Sequence, residues 1–175
     1  MLDEIVAAAS LLLEACDVDH CLIGGLAVAI HGYVRATYDV DFLISELDLE
    51  KVLERAPRYG FVFDEGDREL ACEGIVFLRY GEINGPRVDF LVAEAEIEQE
   101  IISGAHEEVF DAHRLPVARV EDLIAMKLAA GRPQDELDAE RLIERRSPDF
   151  AVERYLAVAA GLGCTAKARA WLKEE

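Results

Sequence analysis

The sequence is short of positive charge: 18 Lys and Arg stand against 36 acidic side chains, a net charge of −18. Grip on nucleic acid comes from Lys and Arg set against phosphates, so this balance disfavours extensive nucleic-acid binding and leaves room for a local basic pocket. Cysteine is sparse as well. Cys16, Cys21, Cys72 and Cys164 show no CxxC spacing, so neither zinc nor disulfides are expected, and reduced thiols point to a cytoplasmic protein. No stretch approaches the roughly 20 apolar residues that a membrane-spanning helix needs. The apolar run Ile5 to Leu13 follows Asp3 and Glu4, where a signal peptide would carry cations, and Glu14 closes it. It reads as a buried helix, and no membrane partner is expected. Internal repeats and low-complexity linkers are missing too. A chain of 175 residues with 52% hydrophobic content then makes one domain with a modest helical extension.

Along the chain, strong helix formers from Asp3 to Cys16 predict a first helix with Asp3 as cap. His20 to Ile23 reads as a short strand ending at Gly24-Gly25, followed by an Ala-rich helix from Leu26 to His31 that Gly32 stops. Thr37 to Ile44 is a β-branched and aromatic strand, and Leu47 to Tyr59 a helix ended by Gly60. Gly60 to Phe63, Ile75 to Tyr80 and Arg87 to Val92 are further strands, the last two forming a hairpin across Gly81 to Pro86. Glu94 to Ser103 reads as a helix and Val109 to Leu115 as a small strand before Pro116. Helices follow over Val120 to Ala130, Glu136 to Arg146, Phe150 to Leu162 and Thr165 to Lys173, the first broken off by Gly131-Arg-Pro133. The fold class expected is α/β (α+β), a mixed sheet flanked by helices. Residues 1–135 form the domain, and 136–175 a helical extension packed on it.

Two acids interrupt the apolar strand Thr37 to Ile44. Side chains at i and i+2 of a strand share a face, so Asp39 and Asp41 project together. Like charges side by side are unfavourable unless a cation neutralises them, and hard carboxylate oxygens suit Mg²⁺ or Mn²⁺. Asp89 is a third acid inside an apolar strand; beside the first strand it would complete a metal triad and be a general-base candidate. The plainer reading of any one of these acids is a strand end facing solvent. At Gly24-Gly25, backbone free of side chains can approach phosphate oxygens, although a tight packing turn accounts for glycines equally well. Arg35 and Thr37 are placed to hold a phosphate or sugar oxygen, with a solvated loop arginine as the alternative. Met126 and Trp171 read as packing, and His31 as a capping or half-buried group.

The glycine pair Gly24-Gly25, the segment Arg35-Ala-Thr37-Tyr-Asp39-Val-Asp41 and the later Val88-Asp89 together resemble the nucleotidyltransferase superfamily. The segment from Val120 through Lys127 and Arg132 to Asp135 resembles the helix motif of its AbiEii-like group, toxins of type IV toxin–antitoxin pairs. The resemblance implies a nucleotidyltransferase-like fold with Asp39, Asp41, Asp89 and Lys127 as catalytic residues. It implies Gly24, Gly25, Arg35, Thr37, Lys127, Arg132 and Asp135 around an NTP, with Lys127 at the phosphates, Arg132 assisting and Asp135 orienting. The group more often has Gly-Ser at the turn, and many of its members carry a larger C-terminal region.

The expected activity is metal-dependent transfer of a nucleoside monophosphate from NTP to an unidentified hydroxyl acceptor, as the toxin of a type IV pair with an antitoxin protein as partner. Two alternatives stand beside it. One is a catalytically silent module of the same fold that binds nucleotide or a partner, and the other is a nuclease or hydrolase using the same carboxylates.

Overall fold

The computed structural model describes residues 2–45, 49–67 and 74–172. In chain order these form α1 (Leu2–Ala15), β1 (His20–Ile23), α2 (Gly24–Ile30), β2 (Val40–Ile44), α3 (Leu49–Arg55), β3 (Phe61–Val62), β4 (Ile75–Tyr80) and β5 (Arg87–Val92). There follow α4 (Glu96–Ser103), β6 (His106–Phe110), β7 (His113–Val117), α5 (Val120–Ala130), α6 (Pro133–Glu144), α7 (Val152–Gly161) and α8 (Thr165–Trp171). The strands make one mixed sheet in the order β3-β4-β5-β2-β1-β7-β6, with helices against it, as the mixed α/β reading expects.

The centre of the sheet is set by two parallel strands, β2 and β5, in a register that puts Asp41 opposite Asp89. Val40, Phe42, Leu43, Ile44, Val88 and Phe90 are all buried around them. Such near-continuous apolar runs belong to strands covered on both faces. The rings of Phe42 and Phe90 stack with centroids 6.0 Å apart. On α1, the buried stripe Ile5, Val6, Ala9, Leu12 and Leu13 recurs at helical spacing. The helix α5 is buried almost all round, Asp122 and Lys127 included, as befits an interior helix. It is tied to the C-terminal helices through Arg154, whose guanidinium donates to both oxygens of Asp122 at 2.7 and 3.0 Å. Lys167 on α8 donates to the Leu128 carbonyl at 3.3 Å and to Glu136 at 2.6 Å.

Several boundaries differ from the sequence reading, each for a local reason. β2 starts at Val40 rather than Thr37, which leaves Asp39 in the loop just ahead of the strand. The helix expected over Leu47 to Tyr59 becomes α3 and a 3-10 turn at Ala56–Tyr59, because Pro57 cannot donate a helical hydrogen bond. Leu47 itself lies outside the described residues, as do Cys72 and the expected helix end at Lys173. The single strand expected at Val109 to Leu115 is instead the hairpin β6–β7, turning at Asp111 with φ 55°. Pro116 is tolerated inside β7 because the ladder to β1 begins one residue later, at Val117 opposite Leu22. The helix expected from Glu136 begins at Pro133, a first-turn position where the missing N–H costs nothing. α6 therefore runs without a break across residues 135 and 136. Among the described residues, no helix is long and apolar enough to cross a membrane.

Candidate active site

The C-terminal half of β1, the start of α2, the loop before β2, the ends of β2 and β5, and the α5–α6 junction surround a cavity of about 590 Å³. It gathers Gly24, Gly25, Arg35, Thr37, Asp39, Asp41, Asp89, Lys127, Arg132 and Asp135, every site residue expected from the sequence. Arg87, Gln134 and Met126 also line it, Met126 while packing against the core as the sequence reading expects. His31 does not; its Nε2 donates to the Ala118 carbonyl at 2.7 Å.

Gly24 follows directly on β1 and has φ +65°, a left-handed conformation that favours glycine. Close approach adds to this, because a Cβ there would stand 1.9 Å from Oδ2 of Asp41. At Gly25 a Cβ would meet Thr37 Oγ1 at 2.8 Å and Arg35 Nη2 at 2.9 Å. The glycine pair thus leaves the space into which the Asp41 carboxylate and the Arg35 guanidinium fit. Thr37 Oγ1 donates to the Asp39 carbonyl at 3.2 Å, holding the loop that presents Asp39.

The strand acids are only partly compensated. Burial raises the Asp41 carboxyl above its ordinary value, and Asp39 adds repulsion that Lys127, Arg132 and Arg87 offset in part. Burial also lifts Asp89 to about 6, against the pull of Arg87. Arg87, two residues back on β5, donates from Nη2 to Asp89 Oδ2 at 2.9 Å. Its Nε lies 2.6 Å from Oδ1 as an ion pair, but misaligned, so Oδ1 is buried without a hydrogen bond. The Arg87 guanidinium also sits over the Phe77 ring, 4.5 Å from its centroid.

The acids on α6 are the reverse case. Lys127 Nζ is 2.7 Å from Asp135 Oδ1 and 3.1 Å from Asp138 Oδ2, with the lysine side chain 8% exposed. This is a buried cluster rather than a surface ion pair. Arg132, 76% exposed at its side chain, reaches Asp135 Oδ2 at 2.5 Å. Arg35 grips Asp138 through two bonds of 2.8 Å, and Gln134 Nε2 donates to Asp138 Oδ1 at 2.8 Å. Burial pushes the Asp135 and Asp138 carboxyls up, yet these hydrogen bonds outweigh it and hold both below the usual carboxylate range.

Asp138 and Arg87 escaped the sequence reading. Asp138 lies one helical turn beyond Asp135 on the same face, and Arg87 lies at i−2 from Asp89 on the same strand face; those spacings are the signals that could have found them. Asp39, Asp41 and Asp89 are the acids expected to hold a metal. Among the described residues, no three His, Cys, Asp or Glu side chains converge as a ready ligand set, and Asp89 is paired with Arg87. The donors nonetheless fit a hard divalent cation: carboxylates in register on adjacent strands, a buried Asp89 oxygen lacking a hydrogen bond, and carboxyls that burial leaves short of positive charge.

No family model matches the chain, and no curated protein does. Solved structures define the fold, which is that of nucleotidyltransferases. The antibiotic-resistance factor ANT(2'')-Ia superposes over 97% of this chain and 92% of its own, with a TM-score of 0.59 at 16% identity. The lincosamide antibiotic adenylyltransferase LnuA, in its lincomycin-bound form, covers 81% of this chain and 96% of its own, with a TM-score of 0.55 at 14% identity. An antigenic nucleotidyltransferase-like protein from Paracoccidioides brasiliensis covers 98% and 92%, with a TM-score of 0.53 at 17% identity.

Proposed function

We propose that the protein is a divalent-metal-dependent nucleotidyltransferase that moves a nucleoside monophosphate from NTP to a hydroxyl acceptor, releasing pyrophosphate. The observation that carries this reading is one cavity with charge-deficient acids on β2 and β5 facing a clamped Lys127 and an exposed Arg132. The fold shared with nucleotidyltransferases supports it.

Asp39, Asp41 and Asp89 would hold Mg²⁺ or Mn²⁺, which polarises the phosphates and lowers the pKa of the acceptor hydroxyl. Lys127, fixed by Asp135 and Asp138, sets a positive charge against the triphosphate without needing to be ordered on binding. Arg132 is exposed enough to turn from Asp135 onto the leaving pyrophosphate. Gly24 and Gly25 leave room for the Asp41 carboxylate and for Arg35 and Thr37, which line the cavity where they can hold a phosphate or sugar oxygen. Asp89, in register with Asp41 on the adjacent strand, is placed to accept the hydroxyl proton. The narrower assignment, a toxin of a type IV pair with an antitoxin, rests on the Lys127 to Asp135 segment, and growth arrest on expression would test it.

The proposal is checked by incubating the protein with α-labelled NTP, Mg²⁺ and cell extract. Label should enter an acceptor, and Asp39→Asn or Asp41→Asn should cut transfer by about a thousandfold. Release of labelled nucleotide without an adduct would favour the hydrolase. Nucleotide binding without turnover would favour the silent module.

A further inference from the structure

A second cavity, of about 650 Å³, meets the first at Thr37, Asp39 and Arg87. It contains none of Lys127, Arg132 or the glycine pair; its walls are Leu2, Ile5, Tyr38, Arg79, Asn84 and Pro86 with the charged seam at one end. Tyr38 stands between Thr37 and Asp39 with 83% of its surface exposed, although a ring of that size is ordinarily worth burying.

We propose that this second cavity is the acceptor site, and that it takes a small ring-bearing alcohol laid on Tyr38 with its hydroxyl directed at the Asp39–Arg87 seam. The inference rests on the nucleotidyl-transfer reading. In-line displacement at phosphorus requires the attacking oxygen and the leaving pyrophosphate to lie on opposite sides. Lys127 and Arg132, which lie together at the α5–α6 junction and suit pyrophosphate, line the first cavity only, whereas the second has Arg79 and the shared Arg87; the acceptor therefore enters from the second, on the side of the acids away from Lys127 and Arg132. In the step, the acceptor oxygen forms a bond to the α-phosphorus while the bond from that phosphorus to the bridging oxygen breaks. Pyrophosphate leaves with the electron pair, and the hydroxyl proton passes to Asp89, which Arg87 holds beside the seam, and on to water.

The walls select the acceptor class. Leu2, Ile5 and Pro86 offer apolar surface, Tyr38 a ring face for stacking, and Asn84 and Arg79 polar groups, a pattern that suits an amphipathic small molecule. The volume is that of a small-molecule pocket, and the charge of −18 opposes a polynucleotide end.

The test uses the full chain, Mg²⁺, α-labelled ATP and two probes: a panel of 4-nitrophenyl glycosides and a short RNA with a free 3′ hydroxyl. Label is expected on a glycoside. Tyr38→Ala should raise the KM for that acceptor about tenfold and leave the Kd for ATP within twofold, and Tyr38→Phe should behave as the unsubstituted protein. Tyr38 is exposed, so neither variant threatens folding. Transfer to RNA alone, no transfer to any glycoside by a protein that binds ATP, or an acceptor KM indifferent to Tyr38→Ala would overturn the acceptor site and leave the nucleotidyl-transfer reading intact. Absence of ATP binding by the unsubstituted protein would overturn both.

Discussion

Asp41 and Asp89 on the strands and Asp135 and Asp138 on α6 lie around one group of cations, yet their carboxyls are driven in opposite directions. Burial acts on all four. On α6 it is overcome, because Lys127, Arg132, Arg35 and Gln134 all bond to the two carboxylates. On the strands it wins: Asp41 is compensated only at a distance, and Asp89 has a single, partly misaligned arginine. A buried charge with full partners is a fixed structural part, whereas one without them stands ready for a ligand that brings positive charge. On the proposed reading the strand acids are the receptive half of the site, and the α6 cluster, which pairs with Lys127, is its clamp.

The comparison breaks most visibly if the clamp is removed. Asp138→Ala leaves Lys127 with one partner and Arg35 with none of its carboxylate bonds, and should cost about 3 kcal/mol in urea unfolding. A loss near zero would show that the cluster is not the fixed half. Next in size is Gly24→Ala, which combines the left-handed backbone with a Cβ set 1.9 Å from the Asp41 carboxylate. It should cost about 2 kcal/mol and displace Asp41, so that nucleotide binding weakens along with stability.

The smallest effect concerns pH and has the opposite sign. Asp89 is lifted to about 6 from an ordinary value of 3.8. Between those values the folded protein keeps a proton that the unfolded chain has released, so stability falls as pH rises through the window and stays lower above it. Asp89→Asn should therefore stabilise the protein at pH 7 by about 1–2 kcal/mol and change little at pH 3. An unsubstituted protein that instead gains stability over the variant as pH rises would place Asp89 with the compensated acids, and curves of equal shape would remove the lift at Asp89 altogether. In turnover, the acidic limb near pH 6 should move lower as Mg²⁺ is raised, since a cation favours the carboxylate.

Much of the receptive half could be read from sequence, because its signals are local. Acids two apart in an apolar run, a third acid in another such run, and glycines between strand and helix are each visible within a few residues. The clamp was visible only in part. Lys127, Arg132 and Asp135 are neighbours along α5 and α6, but Asp138 matters through Arg35, 103 residues away, a pairing that no periodicity reveals. Pairing also explains the missed hairpin: β6, His-Glu-Glu-Val-Phe, is an edge strand with mostly exposed, charged side chains, so it lacks the apolar alternation that marks a strand. Arg87 was read as part of a strand, and its position beside Asp89 changes that acid from a plain metal ligand to one held by a cation.

The central claim is that the strand acids receive a metal-bound nucleotide. Calorimetric titration of the unsubstituted protein and of Asp41→Asn with each NTP, in the presence and absence of Mg²⁺, tests it most directly. The account predicts saturable binding of at least one NTP that requires Mg²⁺ and is lost in Asp41→Asn, with the variant folded and no less stable at neutral pH. Binding that is indifferent to both Mg²⁺ and Asp41, or no binding of any NTP, would contradict it.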